Sequence, residues 1–331
     1  MQGLEVKSTL DMCVLCVGGS DSGGGAGIQA DIKTAAALGM HAACAVTCVT
    51  AQNTVSFAGC KPVDPEMIEA QIDAAFSDYN IAAVKVGMLA SPQSAAAVAS
   101  AIARQRESQP ALHVVVDPVL AATVDERGAK EELAQAVSRY LVPLASVVTP
   151  NLPESHILAN CCQQILSGAT TADNKAACAP QEATDDVMAA WAARTMLAAG
   201  AGSVLVKGGH GNGADSVHDL LFAPASSMDL GVASPSVPGD DSLVGEVRVV
   251  VEPGCRDAFM SRPVCYTSKR LPGEFHGTGC VLSTAIACKL ACGLGLAHAV
   301  YEARQLLESC LEHATCPGRG SKIIDPVRSM R

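Results

Sequence analysis

A glycine-rich segment, His276-Gly-Thr-Gly-Cys280, has the composition of a phosphate-binding helix start. A helix cannot extend back through Pro272, whereas Val281 begins an apolar stretch with helical spacing. The two glycines therefore lie where a loop becomes a helix. The free N–H groups and the dipole of a helix start attract anions, and glycine lets a phosphate approach the backbone closely. The segment predicts an anion site, with His276, Gly277, Thr278 and Gly279 facing a phosphoryl group.

Cys280 closes this segment and would lie beside the bound anion. A helix start stabilises a thiolate, so we expect the pKa of Cys280 to lie below its ordinary value. Taken alone, the segment is equally well a plain helix start with a buried thiol, since short glycine motifs have many false matches.

Polar residues also follow several apolar segments that read as buried strands. Strands are predicted over 12–18, 44–50, 82–88, 112–116, 145–149 and 203–207, with a further extended segment over 55–63. Helical patterns cover 26–38, 64–77, 129–141, 185–199 and 281–290. This alternation predicts an α/β fold with a mostly parallel sheet flanked by helices, in which ligands bind beyond the carboxyl ends of the strands. The polar residues at those ends, with one apolar residue, are Asp21, Gln52, Met88, Asp117, Asn151 with Glu154, and Lys207.

Composition narrows the class of protein. The chain has 331 residues and a formal net charge of −10, which argues against nucleic acid as a partner. Its 15 cysteines follow no secretory signal and are expected to be reduced thiols of a cytoplasmic protein. The apolar stretch 281–300 contains Lys289 and two glycines, so we expect two helices there and no membrane span.

Two stretches differ from the rest. Residues 222–262 are rich in Pro, Ser, Gly and Asp and are predicted to form an insertion with a short edge hairpin around 247–251. Residues 161–184 are polar and irregular, and a surface loop is expected there.

Several segments together resemble the hydroxymethylpyrimidine/phosphomethylpyrimidine kinases of thiamine biosynthesis, within the ribokinase-like superfamily. The segments are Gly24-Gly-Ala-Gly-Ile-Gln-Ala-Asp-Ile-Lys-Thr34, Ala51-Gln-Asn-Thr54, Val86-Gly-Met-Leu89, Val116-Asp-Pro118, Thr149-Pro-Asn-Leu-Pro-Glu154, Val206-Lys-Gly-Gly-His210 and His276-Gly-Thr-Gly-Cys280. The chain departs from the family at Asp21-Ser-Gly-Gly-Gly25, where members usually have Asp-Pro-Ser-Gly-Gly.

The resemblance implies a single ribokinase-like kinase domain over 1–331, a three-layer sandwich with 222–262 inserted in it, and a homodimer. It implies an enzyme that uses ATP and Mg²⁺ to phosphorylate 4-amino-5-hydroxymethyl-2-methylpyrimidine to the monophosphate and then to the diphosphate. Its partners would be these small molecules, with no nucleic acid and no membrane.

The resemblance also implies residue roles. Cys280 would take the substrate proton beside the backbone donors of Gly277, Thr278 and Gly279. Substrate contacts would come from Gly19, Asp31, Gln52 and Met88. ATP and its phosphates would be bound by Asp117, Asn151, Lys207 and His276, and Mg²⁺ by Glu154 and Asp117, directly or through water.

Three alternatives stay open at this point. A pyridoxal kinase of the same superfamily acts on a similar hydroxymethyl heteroaromatic ring. A pyrimidine-binding sensor without catalysis would use the same pocket. A nicotinamide oxidoreductase is suggested by Gly25-x-Gly27, but the acidic residue that such a site needs after the next strand is absent from 51–54.

Overall fold

The computed structural model describes residues 12–120, 127–168, 184–210, 215–224 and 263–329. The chain forms two compact units, one from Met1–Asp117 with Gly273–Arg331 and the other from Pro118–Pro272. The single kinase domain predicted over 1–331 stays a prediction.

The elements in chain order are as follows. The strands are β1 Cys13–Asp21, β2 His41–Gln52, β3 Phe57–Pro62, β4 Ile81–Val86, β5 His113–Val116, β6 Val147–Val148, β7 Val204–Val206, β8 Ser216–Phe222, β9 Val264–Lys269, β10 Phe275–His276 and β11 Lys322–Ile323. The helices are α1 Gly27–Ala37, α2 Pro65–Asp78, α3 Pro92–Ser108, α4 Arg127–Ala136, α5 Leu152–Ser167, α6 Asp185–Ala198, α7 Thr278–Ala291, α8 Leu296–Glu312 and α9 Pro326–Ser329.

The first unit is built on the strand order β3-β2-β1-β4-β5. Every neighbouring pair in it is parallel except β2 with β3. The middle of β1, Val14 to Val17, has no exposed surface, so both faces of the sheet are covered. Helices α1 and α7 pack on each other and on the sheet, and α2 packs with α3. The glycine loop after β1 and the start of α7 are therefore held by one rigid layer of helices.

The second unit pairs β6 with β7 in parallel and continues through antiparallel β8 and β9. Helix α6 packs on β7 and β8 and also contacts α5. Helix α5 begins with a capping box in which Asn151 and Glu154 bond each other's backbone N–H groups. It ends only at Gly168, which has a φ of 64°. The expectation of a loop over 161–184 is thus wrong for 161–167, because a well-capped start and buried Leu158 and Cys162 sustain the helix through its polar residues. Residues 169–183 of that prediction lie outside the described residues.

The predicted insertion over 222–262 begins after β8, whose antiparallel partner is β9. It therefore occupies the connection between two paired strands. Its residues 225–262, with the hairpin predicted around 247–251, lie outside the described residues.

The predicted α/β class is confirmed, with mostly parallel strands flanked by helices. The apolar stretch 281–300 divides as expected, since α7 ends at Ala291 and α8 begins at Leu296. Among the residues that the structure describes, no helix has both the length and the apolarity to cross a membrane.

Candidate active site

The loop between β1 and α1 folds around the carboxylate of Asp21, which is 2% exposed. Its Oδ1 accepts a hydrogen bond from the N–H of Gly23 (2.7 Å). Its Oδ2 accepts from the N–H groups of Gly25 (2.9 Å) and Ala26 (2.8 Å). Three backbone N–H groups of the loop thus donate hydrogen bonds to a carboxylate of the loop itself. Sequence inspection noted Asp21 at a strand end but assigned it no role in the site.

The segment before α7 docks on the same loop. The Nε2 of His276 lies 3.2 Å from the Oδ2 of Asp21. Gly277 has a φ of 89°, and a Cβ there would lie 2.0 Å from the carbonyl oxygen of Gly25. Only glycine therefore fits at position 277. The glycine loop after β1 and the glycine segment before α7 are therefore in direct contact, although they are far apart in the chain.

Hydrogen bonds decide the ionisation of Asp21. Its burial favours the neutral acid, but bonds from His276 and from the N–H groups of Ala26, Gly23 and Gly25 outweigh that effect and lower its pKa to about 2. The carboxylate is therefore charged at neutral pH and fixes the loop electrostatically.

Helix α7 presents free donors at its start. Its N-cap residue, Gly277, has no side chain that could bond the first-turn N–H groups. The first helical bond within this turn is donated by Val281 to the carbonyl of Gly277 (3.0 Å). The N–H groups of Thr278, Gly279 and Cys280 are thus aimed out of a 14-residue helix, as an anion site requires.

The thiol of Cys280 does not have the low pKa that the sequence predicted. Desolvation, the largest influence, raises the pKa of Cys280 to about 11 although part of its surface stays exposed. The ammonium of Lys85 opposes this shift, the carboxylates of Asp31 and Asp117 reinforce it, and the Gly27 N–H bonds the sulfur. The helix dipole alone is too weak to outweigh burial beside two carboxylates. Cys280 is a neutral thiol at neutral pH.

A buried ion pair lies behind this site. The Nζ of Lys85 on β4 is 2.8 Å from Oδ1 and 2.9 Å from Oδ2 of Asp31 on α1. The hydroxyl of Thr284 on α7 donates to Oδ1 of Asp31 (2.7 Å). All three side chains are 0% exposed. Asp31 thus lies in the core with both oxygens bonded, and its predicted contact with the substrate stays a prediction.

Lys85 was missed by the sequence analysis. Its signal was present: a single lysine interrupts the apolar run of β4, a strand predicted to be buried. A charge in such a position requires a buried partner.

The residues predicted to bind the substrate lie around the end of β1. A Cβ at Gly19 would lie 2.8 Å from the sulfur of Cys48 and 3.3 Å from the sulfur of Met88. The side chains of Cys48 and Met88 therefore lie directly against Gly19. Gln52 ends β2 and exchanges hydrogen bonds with Ser22 through its backbone. Within the described residues, the side-chain amide of Gln52 has no hydrogen-bond partner, which leaves it available for a ligand.

Asp117 joins this group from the end of β5. It is 2% exposed, and its backbone N–H donates to the carbonyl of Val86 (2.8 Å). The hydroxyl of Ser283 on α7 donates to its Oδ2 (3.4 Å). The first unit thus brings together Gly19, Asp31, Gln52, Met88, Asp117, His276, Gly277, Thr278, Gly279 and Cys280.

The other three predicted residues belong to the second unit. The Oδ1 of Asn151 accepts from the N–H of Glu154 (2.8 Å), and the Oε2 of Glu154 accepts from the N–H of Asn151 (2.9 Å). Lys207 follows β7 and forms a parallel bridge with Asn151. Three polar residues therefore meet at the carboxyl ends of β6 and β7, although Glu154 also serves as a helix cap. No group of three or more His, Cys, Asp or Glu side chains in the described ranges is arranged to hold a metal ion.

An α/β fold with an uncapped, glycine-flanked helix start beside a buried charge network suits an enzyme that transfers phosphoryl groups. The family model described as phosphomethylpyrimidine kinase matches residues 21–234 and 254–325. The chain belongs to the phosphomethylpyrimidine kinase family, which confirms the predicted resemblance.

Relatives and solved structures agree with this assignment. The chain is 35% identical over 306 residues to the hydroxymethylpyrimidine/phosphomethylpyrimidine kinase of Rhizobium meliloti, covering 91% of this chain and 90% of that one. It is 35% identical over 311 residues to the thiamine biosynthesis bifunctional protein ThiED of Geobacter sulfurreducens, covering 93% of this chain and 50% of that protein.

A solved structure shows the same fold at lower identity. The pyridoxal kinase of Staphylococcus aureus, in complex with AMP-PCP and pyridoxal, superposes with a TM-score of 0.69 at 23% identity. The match covers 96% of this chain and 93% of that one. The predicted ribokinase-like fold and the predicted phosphotransferase class are confirmed.

Proposed function

We propose that this kinase transfers the γ-phosphoryl group of ATP first to the hydroxymethyl oxygen of 4-amino-5-hydroxymethyl-2-methylpyrimidine and then to the resulting monophosphate. The observation that carries the proposal is the uncapped start of α7, held against the Asp21 loop by His276 and Gly277. A relative named for both reactions supports the substrate, and a relative named as a bifunctional protein of thiamine biosynthesis supports the pathway.

The helix start would stabilise the moving phosphoryl group. In the first step the substrate oxygen attacks the γ-phosphorus, the bond from that phosphorus to the β–γ bridging oxygen breaks, and ADP leaves. Negative charge spreads over the phosphoryl oxygens, where the N–H groups of Thr278, Gly279 and Cys280 donate hydrogen bonds. Preorganised donors of this kind need no rearrangement during the reaction.

The attacking hydroxyl must also lose its proton. Cys280 is the candidate acceptor, and its thiolate is needed for that role. Because its pKa is about 11 without ligands, only a small fraction of the protein carries the thiolate at neutral pH. The second step needs no such base, because its nucleophile is already a phosphate oxygen.

The pyrimidine would be recognised near the end of β1. The carbonyl of the Gln52 side chain can accept from the 4-amino group, while its amide donates to a ring nitrogen. Met88, which lies against Gly19, would pack on the ring. Asp31 would act at the hydroxymethyl end, directly or through its buried partners.

The nucleotide contacts predicted from the sequence stay proposals. Asn151, Lys207, Asp117 and His276 are proposed to bind ATP and its phosphates, with Lys207 as the cation. Asp117 and Glu154 are proposed to hold Mg²⁺, directly or through water, because carboxylate oxygens suit that ion. When bound, Mg²⁺ would neutralise the charge of the ATP phosphates. The homodimer and the cytoplasmic location remain proposals from the resemblance.

A coupled assay tests this function. Purified protein with ATP, Mg²⁺ and the hydroxymethyl aminopyrimidine should release ADP and yield the monophosphate and then the diphosphate by mass spectrometry. Pyridoxal in place of the pyrimidine is the matched competitor. Faster turnover of pyridoxal would assign the chain to pyridoxal phosphorylation, and binding of the pyrimidine without any ADP release would make it a sensor.

A further inference from the structure

Lys85 is among the largest fully buried side chains of the described residues. A lysine without exposed surface loses its hydration, and that cost is offset only by close opposite charge. Asp31 supplies it through both carboxylate oxygens, at 2.8 and 2.9 Å. A Cβ at Gly87 would lie 2.7 Å from the Nζ of Lys85, so the ammonium occupies space that a side chain at position 87 would need.

The pair ties together the two helices that carry the glycine segments. Asp31 lies one turn after the start of α1, and Thr284 lies one turn after Cys280 on α7. The hydroxyl of Thr284 donates to the carboxylate of Asp31 (2.7 Å). A chain of three buried residues therefore runs from β4 through α1 to α7, just behind the helix start that would bind the phosphoryl group.

The ammonium also acts on the site through its charge. Burial alone would lower the pKa of Lys85, but Asp31, Cys280 and Asp117 raise it above its ordinary value. The lysine is therefore always charged, and it is the positive group that interacts with Cys280, against the two carboxylates of Asp31 and Asp117.

Stability alone does not explain such an arrangement. A buried ion pair contributes little compared with well-packed apolar residues of the same volume, whereas breaking one partner is costly. We infer that Lys85 is a positioning residue of the phosphoryl-transfer site. Through Asp31 and Thr284 it fixes the first turns of α1 and α7 relative to each other, and it places a buried positive charge close to Cys280. This inference rests on the proposed function.

A pair of variants separates the roles. Lys85→Met leaves the Asp31 carboxylate unpaired and should lower the melting temperature strongly. Lys85→Met with Asp31→Asn removes both charges, keeps an oxygen that accepts from Thr284, and should recover most of that loss. Lys289→Met is the control, because it removes a lysine of α7 that pairs with Glu302 outside this network.

The proposal expects that the double variant still loses about tenfold or more in kcat for monophosphate formation, with KM for ATP little changed, since a preorganised charge has been removed. Recovery of kcat together with the melting temperature would overturn it, because Lys85 would then be only a counter-ion.

Thr284 provides a test that does not depend on the charged pair. Thr284→Val keeps the shape and removes the hydroxyl, whereas Thr284→Ser keeps the hydroxyl. Thr284→Val should lower kcat and change the rate of iodoacetamide labelling at Cys280, and Thr284→Ser should restore both. Wild-type kcat and labelling in Thr284→Val would overturn the link to α7. Labelling needs no substrate, so it still reports on this network if the wild-type chain proves inactive on the pyrimidine, a result that would sink the proposed function alone.

Discussion

The Nε2 of His276 and the Oδ2 of Asp21 lie 3.2 Å apart although 255 positions separate them in the chain. Oδ2 of Asp21 also accepts the N–H groups of Gly25 and Ala26. The carboxylate is thus the common partner of both glycine segments. The position of the start of α7, where the phosphoryl group is proposed to bind, therefore depends on the buried carboxylate of Asp21.

Asp21→Asn should therefore loosen both segments. Asn keeps one acceptor oxygen but loses the charge, and we expect a loss of about 1–3 kcal/mol in the free energy of unfolding at pH 7. Urea denaturation measures it. Asp73→Asn is the control, because its ion pair with Arg104 is largely exposed and contributes under about 1 kcal/mol. Equal losses in the two variants would contradict the role of Asp21.

The same carboxylate predicts a pH dependence of stability. Its folded pKa of about 2 lies below the ordinary value of 3.8, so its contribution is present above pH 4 and is lost as the pH falls toward 2. The shift corresponds to about 2 kcal/mol. Denaturation at pH 7, 4 and 2.5 should show this loss in the wild type and a smaller one in Asp21→Asn. Parallel curves would mean that the loop does not lower the pKa of Asp21.

Gly277→Ala should abolish the anion site. An alanine Cβ would lie 2.0 Å from the carbonyl oxygen of Gly25, and its φ of 89° is unfavourable for alanine. We expect a fall in kcat of about a hundredfold or more, as when oxyanion donors are displaced. Gly293→Ala is the matched control: its φ is 83°, but no atom lies within 4 Å of the added Cβ. If both variants keep full activity, the start of α7 does not bind the phosphoryl group.

Gln52→Ala tests the recognition of the pyrimidine. Ring donors and acceptors left unpaired cost about 1–3 kcal/mol, which corresponds to a rise in KM for the pyrimidine of roughly 5- to 150-fold. KM for ATP should stay constant. Gln105→Ala on α3 controls for the loss of a side-chain amide, one that donates to Asp73. A parallel rise in both KM values would point to a folding defect.

The sequence was sufficient for the fold and for the ends of the strands. Apolar runs bounded by glycine and proline place β1, β4 and β5 within a few residues of their observed limits. These signals are local, because each depends on residues adjacent in the chain. Helix α5 was not predicted, since its cap and its buried face outweigh the polar residues after 161.

The charges of the site could not be read from the sequence. Asp31 follows the glycine loop by only a few residues, yet its partners are Lys85 and Thr284, which are distant in the chain. The pKa of Cys280 depends on these same distant groups and on burial. The residues around Cys280 predict that a helix starts there. They do not indicate which charged groups lie beside the sulfur in the folded chain.

The raised pKa of Cys280 gives a direct test of its role as a base. Below a pKa of about 11, the thiolate fraction increases about tenfold for each pH unit. If the thiolate takes the substrate proton, the rate of monophosphate formation should rise between pH 7 and 9 in the wild type. In Cys280→Ala, monophosphate formation should be slow and independent of pH in this range, while the second phosphorylation keeps part of its rate because its nucleophile needs no base.

Cys280→Asp should recover some first-step activity through its carboxylate, and Cys316→Ala, which removes an exposed thiol, should match the wild type. Full activity of Cys280→Ala in both steps would mean that the thiol only packs at the start of α7. The backbone donors would then stabilise the phosphoryl group without a protein base, and the proton would leave through solvent or the phosphate itself.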